Sequence, residues 1–166
     1  MYQQFLDTLE KNAENMTNSI LEEIRMRPET WHYLAACDEV NTERISQVIK
    51  NVYDRLESWL HRNESKNMLF SFYMNLGAQR CQEGIPLEEV TKVLLLIRRE
   101  IWYVIRDHLT FDDRFPLNQL VEINYYVDLI FVRIIQSTIA GYRNKLAVIS
   151  AMCGRGKQLP GKAFRI

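Results

Sequence analysis

Glycine and proline are scarce in this chain of 166 residues, at 6 and 4 respectively. Turn-rich sandwiches and barrels use both freely, so their scarcity beside long stretches at helical spacing points to an all-α fold. Cysteine is scarce as well. Cys37, Cys81 and Cys153 are odd in number, widely spaced and form no CxxC pair. That pattern argues against a disulfide framework or a zinc site and for a reducing cytosol. Net charge is lacking too: 21 basic residues balance 21 acidic ones, so no global field draws the chain to nucleic acid or to an anionic membrane. No window reaches the roughly 18 uninterrupted apolar residues of a membrane span. "YYVDLIFVRII" comes closest, and Asp128 and Arg133 interrupt it. The N-terminal stretch lacks the basic start and apolar core of a signal peptide.

Catalytic motifs are missing in the same way. The sequence has no GxSxG, HExxH or GxxxxGK[ST] motif. The GxG of "CGRGKQ" follows no strand, and Lys157 lacks the Ser or Thr of a phosphate loop. Neither an enzyme nor a cofactor is expected.

What remains is 47% apolar and 25% charged, the composition of a folded chain, at a length that suits one domain with a real core. A first helix is predicted over residues 2–26, with Phe5, Leu9, Met16, Ile20 and Ile24 on its apolar face. Pro28 ends it. A short helical turn then carries Trp31 and Leu34, and Asn41 is placed to cap a helix over 42–61. There Ile45, Val48, Ile49, Val52, Leu56, Trp59 and Leu60 share one stripe. "HRNESKN" reads as a polar connector, and a helix over 66–83 is expected to bury Leu69, Phe72, Tyr73 and Leu76. Gly84 suits its C′ position, and Pro86 opens a helix to about 108 with Glu88 and Glu89 in its first turn. "TFDDRFP" is a turn. The last helix starts at Pro116 or Leu117, runs to about 149, and is apolar over most of its circumference. Residues 153–166 read as a flexible basic tail after a domain of residues 1–152; from 111 onward basic residues outnumber acidic ones eight to four. Short connections between helices predict an up-and-down bundle of about five to six helices.

A few residues are candidates for more than packing. His108 continues the stripe Val90, Val93, Leu94, Ile97, Ile101 and Val104. It is a candidate haem ligand or pH switch in a globin-like sensor, although a histidine closing a helix C-terminus is the commoner explanation. A Soret band in the visible spectrum would mark the haem alternative. A helix-turn-helix reading of residues 81–101 fails because Leu94, Leu95, Leu96 and Ile97 fill the would-be recognition helix. Arg80 shares a stripe with Tyr73 and Leu76, while Arg98 and Asp128 lie at the flanks of apolar faces. Charges so placed are either structural ion pairs, Arg98 with Asp128 first among them, or the lining of a polar pocket for a small anion. Gly77, in mid-helix, calls for close approach by a neighbouring backbone. Leu95 and Trp102, seven residues apart and off the main stripe, align as an interface line.

The stretch "LGAQRCQEGIPLEEVTKVLLLIRREIW" carries Gly77, Arg80, the Glu83-Gly84 corner, Pro86 to Val90, and Arg98-Arg99 before an aromatic residue. In these features, and over residues 42 to 145 more loosely, the chain resembles the RsbRD-type N-terminal domain, a helical sensory module of stressosome co-antagonists and some sensor kinases. The resemblance implies an all-α, often dimeric signal-input domain without catalytic residues, normally followed by an output domain. The expectation is therefore a cytosolic regulatory module that contacts a second copy of itself and an unidentified signalling protein, without nucleic acid or membrane insertion.

Overall fold

Phe5, Leu6, Leu9, Met16, Ile20, Leu21 and Ile24 recur at helical intervals and are almost fully buried, forming the inner face of α1 (Tyr2–Met26). The computed structural model describes residues 2–60, 68–109 and 116–155, apart from the side chains at 2, 68, 69, 108, 109, 154 and 155. The connector at 61–67 with His61, the turn at 110–115, and positions 156–166 of the basic tail lie outside the described residues, as does the side chain of Leu69. Within them the chain is all helical: α1, a 3-10 helix (Pro28–Ala35), α2 (Asp38–Leu60), α3 (Met68–Gln82), α4 (Leu87–Leu109) and α5 (Leu117–Arg155).

Side-chain pairs fix the directions of the helices. Thr17 Oγ1 lies 3.3 Å from Ser46 Oγ and Arg25 lies 3.0 Å from Asp38, so α1 and α2 are antiparallel. Arg44 meets Glu83 while Asn51 stands beside Tyr73, so α2 and α3 are antiparallel. Arg98 pairs with Asp128, and the Tyr142 hydroxyl donates to the Ile85 carbonyl at the opposite end, so α4 and α5 are antiparallel. The result is an up-and-down bundle with α5 shared between α3 and α4. Ile45, Val52, Leu56, Tyr73, Ile97, Ile101, Ile123, Phe131 and Ile134 meet in its core at 0–1% exposure.

Five local readings change. The helix expected from residue 42 begins at Asp38, because Asp38 and Glu39 supply the first-turn carboxylates that favour a helix N-terminus. Asn41 is consequently not its cap; it is buried inside the first turn, where Nδ2 donates to the Ala36 carbonyl at 3.0 Å. Phe72 is exposed rather than buried, since Tyr73 and Leu76 take the inner face of α3. Pro86 stands one residue before α4, its carbonyl accepting from the amides of Glu89 and Val90. At the other end, α5 continues to Arg155, past the residue-149 boundary and into the stretch read as tail.

The corner between α3 and α4 is a Schellman motif. Ile85 N donates to Arg80 O at 3.0 Å and Gly84 N donates to Cys81 O at 3.1 Å. Gly84 has φ +75°, and nothing lies within 4 Å of a Cβ added there. Any penalty for a side chain is therefore backbone strain alone. Gly84→Val should cost about 1–2 kcal/mol in a urea or thermal melt, and Gly84→Asn markedly less, because asparagine tolerates the left-handed region. Equal melting temperatures for the valine variant and the wild type would show that the corner does not depend on this conformation.

One contact sets the spacing of the bundle. A Cβ on Gly77 would lie 2.0 Å from the Thr138 carbonyl oxygen, and one on Gly141 would lie 1.9 Å from that of Met74. The α3 and α5 backbones therefore touch, running in the same direction, as Gly77 beside Thr138 and Ile85 beside Tyr142 require.

Candidate functional site

The inner face of α5 is filled by Leu120, Ile123, Val127, Ile130, Phe131 and Ile134. Its flank carries a second apolar stripe. Val121, Tyr125, Asp128, Val132, Ile135, Ile139, Tyr142, Leu146 and Ile149 follow one another at alternating intervals of four and three residues. That is the 3.5-residue period of a helix-pairing seam. None of these nine side chains is buried in the single chain, and Val121, Tyr125, Val132 and Leu146 are between 48% and 63% exposed. From Val121 to Ile149 the stripe extends about 42 Å along the helix.

Two residues of α4 adjoin it. Arg98 Nε donates to Asp128 Oδ1 at 2.7 Å, each side chain being a little over a third exposed. Leu95 and Trp102 lie three residues before and four after Arg98, hence on its side of the helix. The ion pair thus joins the Leu95–Trp102 line of α4 to the α5 stripe. Leu95 is 49% exposed, while Trp102 is half-buried against the core. Asp128, the one charged member of the stripe, brings its own counter-ion from the same chain.

No protein-family model, curated protein or solved structure matches this chain.

The other singled-out residues do not converge on this face. Arg80 is 3% exposed and lies at the α2–α3 side of the bundle. There its Nη1 donates to both oxygens of Glu83 and its guanidinium stands 5.8 Å from the centre of the Tyr33 ring. The backbone of His108 belongs to the last turn of α4, and its side chain lies outside the described residues. Cys37 and Cys153 are exposed, Cys81 is buried, and all three are free. Among the described residues no group of three or more histidine, cysteine, aspartate or glutamate side chains could hold a metal ion, and no helix is long and apolar enough to cross a membrane.

Two further polar positions matter and were not singled out by sequence. Glu89, read as an ordinary first-turn acid, is 7% exposed: Oε1 lies 2.6 Å from His32 Nδ1, and Oε2 accepts from the Tyr33 amide at 3.1 Å. Arg44 reaches from α2 to share Glu83 with Arg80. Neither partnership has a local signal, since the partners lie 57 and 39 residues apart. The α5 stripe did have one: counting intervals of four and three would have separated it from the inner face, where reading the helix as apolar all round merged the two.

Proposed function

We propose that the chain is a non-catalytic regulatory or signal-input domain that works through protein contact, as a homodimer joined along the α5 stripe. The observation that carries the reading is the nine-position heptad stripe, whose members are exposed or half-buried in the single chain. Apolar patches of this extent on a water-facing surface mark partners. A stripe on one helix is also self-complementary about a two-fold axis, which favours a second copy over an unrelated protein. Leu95 and the exposed edge of Trp102 widen the contact beyond the helix pair. The resemblance to RsbRD-type modules agrees with this role and adds an output protein as a further partner. Signals would pass as a change in helix packing or in the geometry of the dimer. Three free cysteines fit a reducing compartment such as the cytoplasm.

The test is oligomeric state. Light scattering or sedimentation at micromolar concentration should report a dimer for the wild type. Val132→Glu places a charge on a side chain already 51% exposed, so it should leave the melting curve of the monomer nearly unchanged. In the dimer the same charge is buried without a partner, and dissociation should rise at least 100-fold. A wild-type protein that stays monomeric at every accessible concentration overturns the reading.

A further inference from the structure

We propose that the cavity between α2 and α3 binds a small anion through a carboxylate or phosphate group. The cavity has a volume of about 400 Å³, within the range of small-ligand sites. Two arginines line it, Arg44 from α2 and Arg80 from α3, together with the side-chain amides of Asn75 and Gln79. Both guanidinium groups converge on one carboxylate. Arg44 Nη2 lies 2.7 Å from Glu83 Oε1, and Arg80 Nη1 lies 3.1 and 2.9 Å from the two Glu83 oxygens.

The pairing is incomplete in both charge and hydrogen bonds. The Arg80 side chain is 3% exposed and that of Arg44 is 17% exposed, whereas the Glu83 they share is 36% exposed. Two largely desolvated cations thus face one half-solvated anion, and an uncompensated buried charge is costly. Each guanidinium also keeps a buried nitrogen without a hydrogen-bond partner, Nη1 of Arg44 and Nε of Arg80. Glu43, the one carboxylate among the lining side chains, is exposed, so water screens its charge. The Tyr33 ring beside Arg80 offers a π face but accepts no charge. What the site lacks is one more oxyanion. Planar guanidinium forks match carboxylate and phosphate oxygens in pairs, and the amides of Asn75 and Gln79 can supply further donors. An arriving anion would draw the arginines off Glu83, whose side chain is free to turn to water.

The experiment is calorimetric titration and thermal melting of the intact chain with inorganic phosphate and, separately, succinate, against chloride at matched ionic strength. Binding is read on each chain whether or not it dimerises. Saturable binding of phosphate identifies a phosphate-bearing ligand, and of succinate a carboxylate-bearing one. The Arg80 Nε–Hε resonance should shift with the same midpoint. Arg44→Gln, at a partly exposed position, should weaken binding at least tenfold while the protein stays folded. Glu83→Gln removes the internal competitor and should tighten binding by a similar factor. No saturable effect beyond that of chloride, or equal affinity in the wild type and both variants, overturns the site.

Discussion

Gly141→Ala should lower the stability of the protein by about 3 kcal/mol or more, although it replaces glycine by the best helix former in the middle of a helix. The two effects oppose each other and magnitude decides between them. Helix propensity favours alanine over glycine by about 1 kcal/mol. Against that, the new Cβ would stand 1.9 Å from the Met74 carbonyl oxygen, and the nearest other atoms are backbone as well. Backbone cannot swing aside as a side chain can. Relief requires α5 to move off α3 by more than an ångström, which loosens every contact between the two helices. Gly77→Ala meets Thr138 in the same way at 2.0 Å. The double variant should cost less than the sum, because one separation of the helices relieves both clashes. Thermal melts decide the matter: each single variant should fall by about 10 °C, and a rise in melting temperature for either would show that the backbones do not touch.

Replacing Glu89 by alanine is expected to cost about 2–3 kcal/mol. Its carboxylate holds the 3-10 segment against α4, through the Tyr33 amide at 3.1 Å and the His32 ring at 2.6 Å. Removing it strands a buried backbone donor, which costs its desolvation in full, and leaves a void where the side chain was. Glu89→Gln keeps the shape and one acceptor, so its loss should be closer to 1 kcal/mol. Hydrogen exchange localises the effect. The Tyr33 amide should lose protection in the alanine variant ahead of amides in the middle of α4. Unchanged protection at Tyr33 would mean that the Glu89 carboxylate does not hold the segment, leaving it to the packing of Tyr33 and to Thr30, whose Oγ1 donates to the Ile24 and Arg27 carbonyls.

Where apolar spacing decides structure, the sequence was readable. Phe5 to Ile24, Ile45 to Leu56 and Val90 to Ile101 declare their buried faces because each helix has one apolar side and one charged side. Gly84 declared the corner because a positive φ leaves few alternatives to glycine. Gly77 pointed to a close neighbour, but its counterpart Gly141 was hidden, since a glycine within a nearly all-apolar helix costs the pattern nothing. Asn41 misled: asparagine is a favoured cap, yet the acids before it start the helix earlier. Arg80 was legible as a misplaced charge because Tyr73 and Leu76 share its stripe. Arg44, Glu83 and Glu89 were not, because nothing about a charged residue on a helix announces a partner from another helix.

The length of α5 has a mechanical consequence. Tyr142 sits level with the α3–α4 corner, where its hydroxyl meets Ile85, and every described side chain from Arg143 to Cys153 is exposed or half-buried. The helix therefore projects from the bundle, by about 20 Å from Arg143 to Arg155. Behind that point it is clasped to α3 through backbone contact at Gly77 and Gly141, which leaves no soft side-chain layer to absorb a displacement. Within the single chain, a stiff rod clasped at one end and uncovered beyond it is a lever, on which a second copy seated at Leu146 and Ile149 would pull. A tilt of about 10° at the clasp would carry its tip through roughly 3 Å over that length.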